Sequence, residues 1–194
     1  MADTTATRMG ASLEGVCGLT SDSMDDLKLP NTAGFRASGS VFVQGSPKVT
    51  HEFTFGLAPQ WGSKTTIAYF DGLSVNARTK AFMMPITLGY KPHFNLSEKA
   101  TLFLSGRLGY AMVDADVNAV ARYGSYSASA GGDSGIDGGF LGSIGAGFCF
   151  NLAKETYLTV GYEFQATRLK SDDSEVGDHT FKQHVISCGV GVRF

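Results

Sequence analysis

Five ionisable residues stand on otherwise small, polar faces of alternating segments: Glu14, Arg36, Glu52, Arg107 and Glu163. Charged groups taken out of water need partners, because an isolated buried ion is very costly. Three acids and two bases can neutralise one another. The chemistry expected of them is a buried ion-pair network, with Arg107 joined to Glu163 or to another of the carboxylates. Such a network either plugs an interior or outlines a gate or a narrow proton or ion path. The residue types favour the plug.

Catalysis finds less support. A hydrolase needs a nucleophile and a base within hydrogen-bond reach. His184 and Ser187 are three apart in an alternating segment, so they point to opposite faces. His51 sits in another segment, and His93 and His179 lie at segment ends, where ordinary interface or loop histidines are expected. No phosphate-binding loop, nucleophile elbow, zinc-helix motif or EF-hand is present. Residues 131–137 have a faint calcium-loop composition with the wrong spacing, and a flexible loop is expected there. Cys17, Cys149 and Cys188 show no CxxC or metal-ligand spacing and read as small buried apolar residues. No catalytic residue, metal or cofactor is expected.

The elements that would position the five charges are long strands. Period-two alternation runs through residues 82–90, 101–112, 157–167 and 184–194, and more weakly through 8–19, 36–44, 49–58 and 140–150. This gives eight strands of mostly about 10 to 15 residues, well above the usual five or six, and no amphipathic helix. The 194 residues suit a single domain. Glycine, at 25 residues, is close to twice its ordinary share of roughly 7%. With 14 Phe and 7 Tyr, the chain is not disordered. Sixteen basic against 18 acidic residues give no electrostatic case for nucleic acid. No apolar run is long enough for a membrane-crossing helix. The N-terminus has no secretory signal, as expected of a mature start with an added initiator Met.

Short connections follow the second, fourth and sixth strands. Longer ones, about 21–34, 61–79, 114–137 and 171–179, follow the first, third, fifth and seventh. The third is rich in Gly, Ser and Ala and is expected to be mobile. The long loops carry Trp61, Phe70, Tyr123 and Tyr126, the contact candidates, and the acidic pairs Asp25-Asp26 and Asp172-Asp173. Phe94-Asn95-Leu96 recurs as Phe150-Asn151-Leu152, an offset of 56 that aligns Arg107 with Glu163. The faces opposite the apolar stripes are Gly, Ser, Thr and Ala with about one charge per strand. A water-facing exterior would carry many Lys and Glu. Those faces instead suit the narrow lumen of an eight-stranded barrel. The apolar stripes then face lipid, with Tyr90, Tyr110, Tyr157 and Phe194 expected at the interfaces.

Two segments resemble the small outer-membrane β-barrel family of Gram-negative bacteria, which includes the OmpA transmembrane domain, OmpX-like proteins and "porin family" relatives. One is Ile86-Thr87-Leu88-Gly89-Tyr90-Lys91-Pro92 followed by Leu104-Ser105-Gly106-Arg107-Leu108-Gly109-Tyr110-Ala111. The other is the terminus Gly189-Val190-Gly191-Val192-Arg193-Phe194. The resemblance implies an all-β, eight-stranded antiparallel up-and-down transmembrane barrel over residues 1–194, in the outer membrane. Val190, Val192 and Phe194 would form the signal read by the barrel-assembly machinery. Lipid and lipopolysaccharide would surround it, and a host or cell-surface ligand would meet the loops. An OmpA-type wall anchor is not expected. The expected role is non-enzymatic, structural or adhesive. The alternatives are a narrow pore for small solutes or ions, then a lipid-modifying barrel enzyme, then a soluble lipocalin-like binder.

Overall fold

The computed structural model describes residues 7–21, 30–133, 136–171 and 179–194. The acidic pairs Asp25-Asp26 and Asp172-Asp173, most of the connections 21–34 and 171–179, and Ser134 and Gly135 of the calcium-like stretch lie outside these residues. Ten strands follow one another: β1 (Thr7–Thr20), β2 (Thr32–Ser46), β3 (Val49–Leu57), β4 (Gln60–Phe70) and β5 (Leu73–Asn95), then β6 (Ala100–Tyr123), β7 (Tyr126–Asp133), β8 (Ile136–Asn151), β9 (Thr156–Ser171) and β10 (His179–Arg193).

Eight of them close a ring. Antiparallel ladders join β1 to β2, β2 to β3, β3 to β5, β5 to β6, β6 to β8, β8 to β9 and β9 to β10. The last strand then returns to the first, from Gly10 opposite Arg193 to Thr20 opposite Gln183. Closure leaves these strands no free edge, which matters most in hydrocarbon, where no water can satisfy an exposed N–H or C=O. The alternation read from the sequence sorts the side chains cleanly. Leu108 is 74% exposed while its neighbour Arg107 is 3% exposed. Leu88, Ile144, Val190 and Phe53 face outward, and Ser38, Thr54, Thr87 and Ser105 are buried inside.

Three short turns gather at one end, between β2 and β3, β5 and β6, and β8 and β9. The repeated Phe-Asn-Leu marks two turns of the same geometry. Leu96 N donates to Ala100 O at 3.0 Å, and Leu152 N donates to Thr156 O at 3.0 Å. Each Asn side chain reaches the preceding turn: Asn95 Nδ2 to Pro47 O at 3.3 Å and Asn151 Nδ2 to Glu98 O at 3.0 Å.

The other end differs from the sequence expectation. Residues 61–79 and 114–133 are mostly strand. β4 pairs with β5 along its whole length, and β7 pairs with the upper part of β6. The reason is that the alternation never stops: Val75, Ala77 and Thr79 keep the parity of Met83, and Ala115, Val117 and Ala119 keep that of Ala111. Both reversals are two-residue turns. Asp71 and Gly72 have φ of 43° and 84°, as a type I′ hairpin requires. Gly124, with φ of 57°, starts the other. The Gly/Ser/Ala stretch expected to be mobile is therefore an ordered edge strand, held because β6 offers it a preformed partner.

Candidate functional site

The barrel lumen is built in layers. At its centre, Arg36 from β2 is bidentate on Glu163 from β9, with Nη1–Oε1 and Nη2–Oε2 both 3.1 Å, and its Nη1 also donates to Glu14 of β1 at 3.1 Å. Arg107 of β6 approaches the same Glu163 carboxylate at 3.1 Å. Lys91 Nζ stands 3.9 Å from Glu14. One layer away, Glu52 accepts from Ser40 Oγ at 2.6 Å and from His93 Nε2 at 2.6 Å. All seven charged or titratable groups are buried. Across the two layers, two Arg and one Lys balance three Glu. Bidentate Arg–carboxylate geometry is the form in which a buried ion pair best offsets its desolvation.

Glycine supplies the room. Gly89 lies opposite Arg107, Gly145 opposite Glu163 and Gly189 opposite Glu14. A Cβ on Gly145 would come within 2.6 Å of Glu163 Cγ, and one on Gly189 within 2.9 Å of Glu14 Cγ. These three glycines are accordingly a packing requirement of the lumen, where Arg107, Glu163 and Glu14 each face a position with no side chain.

Apolar and amide layers bracket the charges, so the lumen is less uniformly polar than the small polar faces suggested. Toward the short turns, Phe42, Phe103, Cys149 and Tyr157 form a buried cluster. Toward the long hairpins, Thr32 Oγ1 donates to Gln60 at 2.7 Å and accepts from Gln183 Nε2 at 3.1 Å. Above them Met83, Ala111, Leu141, Leu169 and Phe181 form a second buried apolar cluster.

Four of the sequence-predicted ionisable residues, Glu14, Arg36, Arg107 and Glu163, meet at the centre; Glu52 is buried too but stands one layer away, on Ser40 and His93. Lys91 and His93 were missed, although both share the parity of Thr87 and could have been found by it. His93 is not an interface or loop histidine; it is buried and bonded to Glu52. Tyr157 is not an interface aromatic either. It is one of the inward residues of β9, set edge-on to Phe42 at 6.5 Å between centroids. Tyr90, Tyr110 and Phe194 do face outward. Of the cysteines only Cys149 is buried; Cys17 and Cys188 are exposed on the outer face, whose parity they share. His184 stacks on Tyr162 outside the barrel while Ser187 is buried inside. Among the described residues, no group of three or more His, Cys, Asp or Glu could hold a metal ion.

The aromatic contact candidates separate. Trp61 packs between Phe35 and Phe82, at 6.2 and 5.6 Å between centroids, on the outer wall at the base of the hairpins. Phe70, Leu73, Tyr123 and Tyr126 are cross-strand neighbours in one row at the hairpin tips. Below that row, on the outward face, a groove of about 430 Å³ is lined by Tyr69, Asn76, Arg78, Asn118 and Arg122 among others. Tyr69 and Tyr126 are 77% and 79% exposed, the most open of the large apolar side chains. Val190 and Val192 face outward, and Phe194 exchanges backbone hydrogen bonds with Met9 at 2.9 and 3.1 Å, extending the β1–β10 seam to the last residue.

The whole sequence, residues 1–194, matches the family described as outer membrane protein beta-barrel domain. No curated protein sequence matches it. Among solved structures, Neisserial surface protein A is similar over 99% of this chain and 100% of its own, at 12% identity and a TM-score of 0.55. Outer Membrane Protein W of E. coli is similar over 98% and 100%, at 10% identity and a TM-score of 0.47. Ail, the attachment invasion locus protein of Yersinia pestis, solved with the heparin analogue sucrose octasulfate, is similar over 98% and 99%, at 16% identity and a TM-score of 0.45. At 12% identity the likeness to Neisserial surface protein A is one of fold. Together with the family match over the full length and the closed ring with its apolar exterior, it establishes that this chain belongs to the outer-membrane β-barrel family of bacteria.

Proposed function

We propose that this protein is a non-enzymatic outer-membrane barrel whose lumen is plugged and which acts by surface contact through the sheet at its extracellular end. The observation that carries this is the length of β5 and β6, 23 and 24 residues. A tilted strand needs only about 9 to 11 residues to cross the hydrocarbon. The nine steps from Phe82 at the aromatic row to Leu73 at the tip add about 30 Å at roughly 3.3 Å per residue. Short turns on the periplasmic side and long hairpins outside are the usual orientation of such barrels. In that orientation β4, the upper parts of β5 and β6, and β7 stand clear of the membrane and present Tyr69, Phe70, Tyr123 and Tyr126. Trp61 serves as an interfacial anchor, in contact with lipid or lipopolysaccharide. Val190, Val192 and Phe194 serve assembly of the barrel.

The test compares cells displaying the full protein with cells displaying a form whose two hairpins are trimmed, for adherence to host-cell or abiotic surfaces. Adherence that falls to the level of non-expressing cells on trimming is expected. Equal adherence at equal surface density would overturn the proposal.

A further inference from the structure

The short-turn end of the barrel holds a cavity that the charge network touches only through His93. It measures about 430 Å³ and is floored by Phe42 of the aromatic layer. Its charged lining comes from four places: Arg8 on β1, His93 on β5, Arg193 on β10, and Glu98 in the turn between β5 and β6. Two guanidinium groups thus face one carboxylate, and Glu98 is itself exposed on its turn.

Two buried polar atoms at this cavity have no hydrogen-bond partner among the described residues, His93 Nδ1 and Arg193 Nε. Neither is loosely held. His93 is 3% exposed, and its other ring nitrogen is committed to Glu52 at 2.6 Å. Arg193 has its guanidinium carbon 4.5 Å from the centroid of Tyr157 and 5.1 Å from that of Phe42, and its Nη1 donates to Asn151 at 3.3 Å. An N–H donor fixed over an aromatic floor and left without an acceptor is preorganised for an oxyanion, and charge-assisted bonds of that kind are the strong ones. The volume falls within the roughly 300–1,000 Å³ of small-molecule sites, more than a bare ion fills.

We propose that this vestibule binds a small soluble phosphorylated or carboxylated molecule from the periplasmic side, with Arg193 and Arg8 as its cationic donors. The inference does not depend on what the extracellular sheet contacts.

The probe is inorganic phosphate, titrated into the full chain refolded in an uncharged detergent, with the arginine Nε–Hε resonances followed by NMR. The Arg193 signal is expected to shift and saturate with phosphate but not with chloride at equal ionic strength, while the Arg36 and Arg107 signals stay in place. Arg8→Gln, at the rim, should weaken binding about tenfold, the loss of one charged hydrogen bond. Arg193→Gln should abolish it, provided the variant keeps its heat-modifiable mobility on gels. Lys64→Gln, at the far end, should bind as the parent does. Shifts that chloride reproduces, or an unchanged affinity in Arg8→Gln, would overturn the proposal. So would a response to micelles doped with phosphatidylglycerol and none to phosphate, which would assign the site to a lipid headgroup.

Discussion

Glu163 receives two arginines in the barrel interior, Arg36 through both nitrogens and Arg107 through one. Removing its charge would leave two buried guanidinium groups with Glu14 as the nearest remaining counter-ion. Breaking a buried pair from one side costs about 3–5 kcal/mol, so Glu163→Gln is expected to lose that order of stability in urea unfolding from lipid vesicles. A loss no larger than that of an exposed substitution would mean that water screens the network. The glycines give a sharper contrast. A Cβ at Gly145 would meet Tyr162 O at 2.3 Å, whereas one at Gly39 meets nothing within 4 Å. Gly145→Ala should therefore cost about 1–3 kcal/mol. Gly39→Ala should be neutral or stabilising by up to about 1 kcal/mol, chiefly through the unfolded chain. At this scale the sequence was informative wherever parity was followed through: Glu14, Arg36, Glu52, Arg107 and Glu163 all carry the inward parity. Lys91 and His93 carry it too, but they sit near a strand end, beside a proline and a turn, where alternation blends into loop composition. Tyr157 shows the opposite error, in which an aromatic residue at a strand end suggested an interface although its parity pointed inward.

Elements separate into those that close the barrel and those that extend it. The eight-stranded ring closes below the hairpins, its β5–β6 ladder interrupted at Lys91 and Pro92, while β7 and most of β4 add pairing only above it. Joining Lys64 to Thr79, and Val117 to Gly132, each through an Asn-Gly turn keeps facing residues in register. The trimmed protein is expected to assemble with the unboiled-to-boiled gel shift of the parent. Failure to show that shift would mean that the hairpins nucleate the barrel. The strands of the ring were legible because each alternates over a length that few other structures need. The sheet of the long hairpins was not, because β7 is mostly Ser, Ala and Gly, residues of poor strand propensity that a neighbouring strand nonetheless orders. The usable signal lay in the turns. Asp71-Gly72 and Gly124-Ser125, each between alternating runs, are two-residue hairpin chemistry.

The whole molecule is a ring with its apolar side out and charge-balanced polar layers between two apolar clusters. The composition conveyed the first part, because faces of Gly, Ser and Thr are too poorly charged to meet water. It could not convey the layering, which depends on how stagger around the barrel brings residues of five strands to one height. A lumen plugged as proposed would conduct no steady ion current, whereas a proton or ion path through the Arg36–Glu163–Arg107 layer would. Single-channel recording of the refolded protein in planar bilayers separates the two. A closed lumen predicts a silent membrane at moderate voltage. A steady conductance whose ion selectivity changes in Glu163→Gln would contradict it and make the network a conducting path.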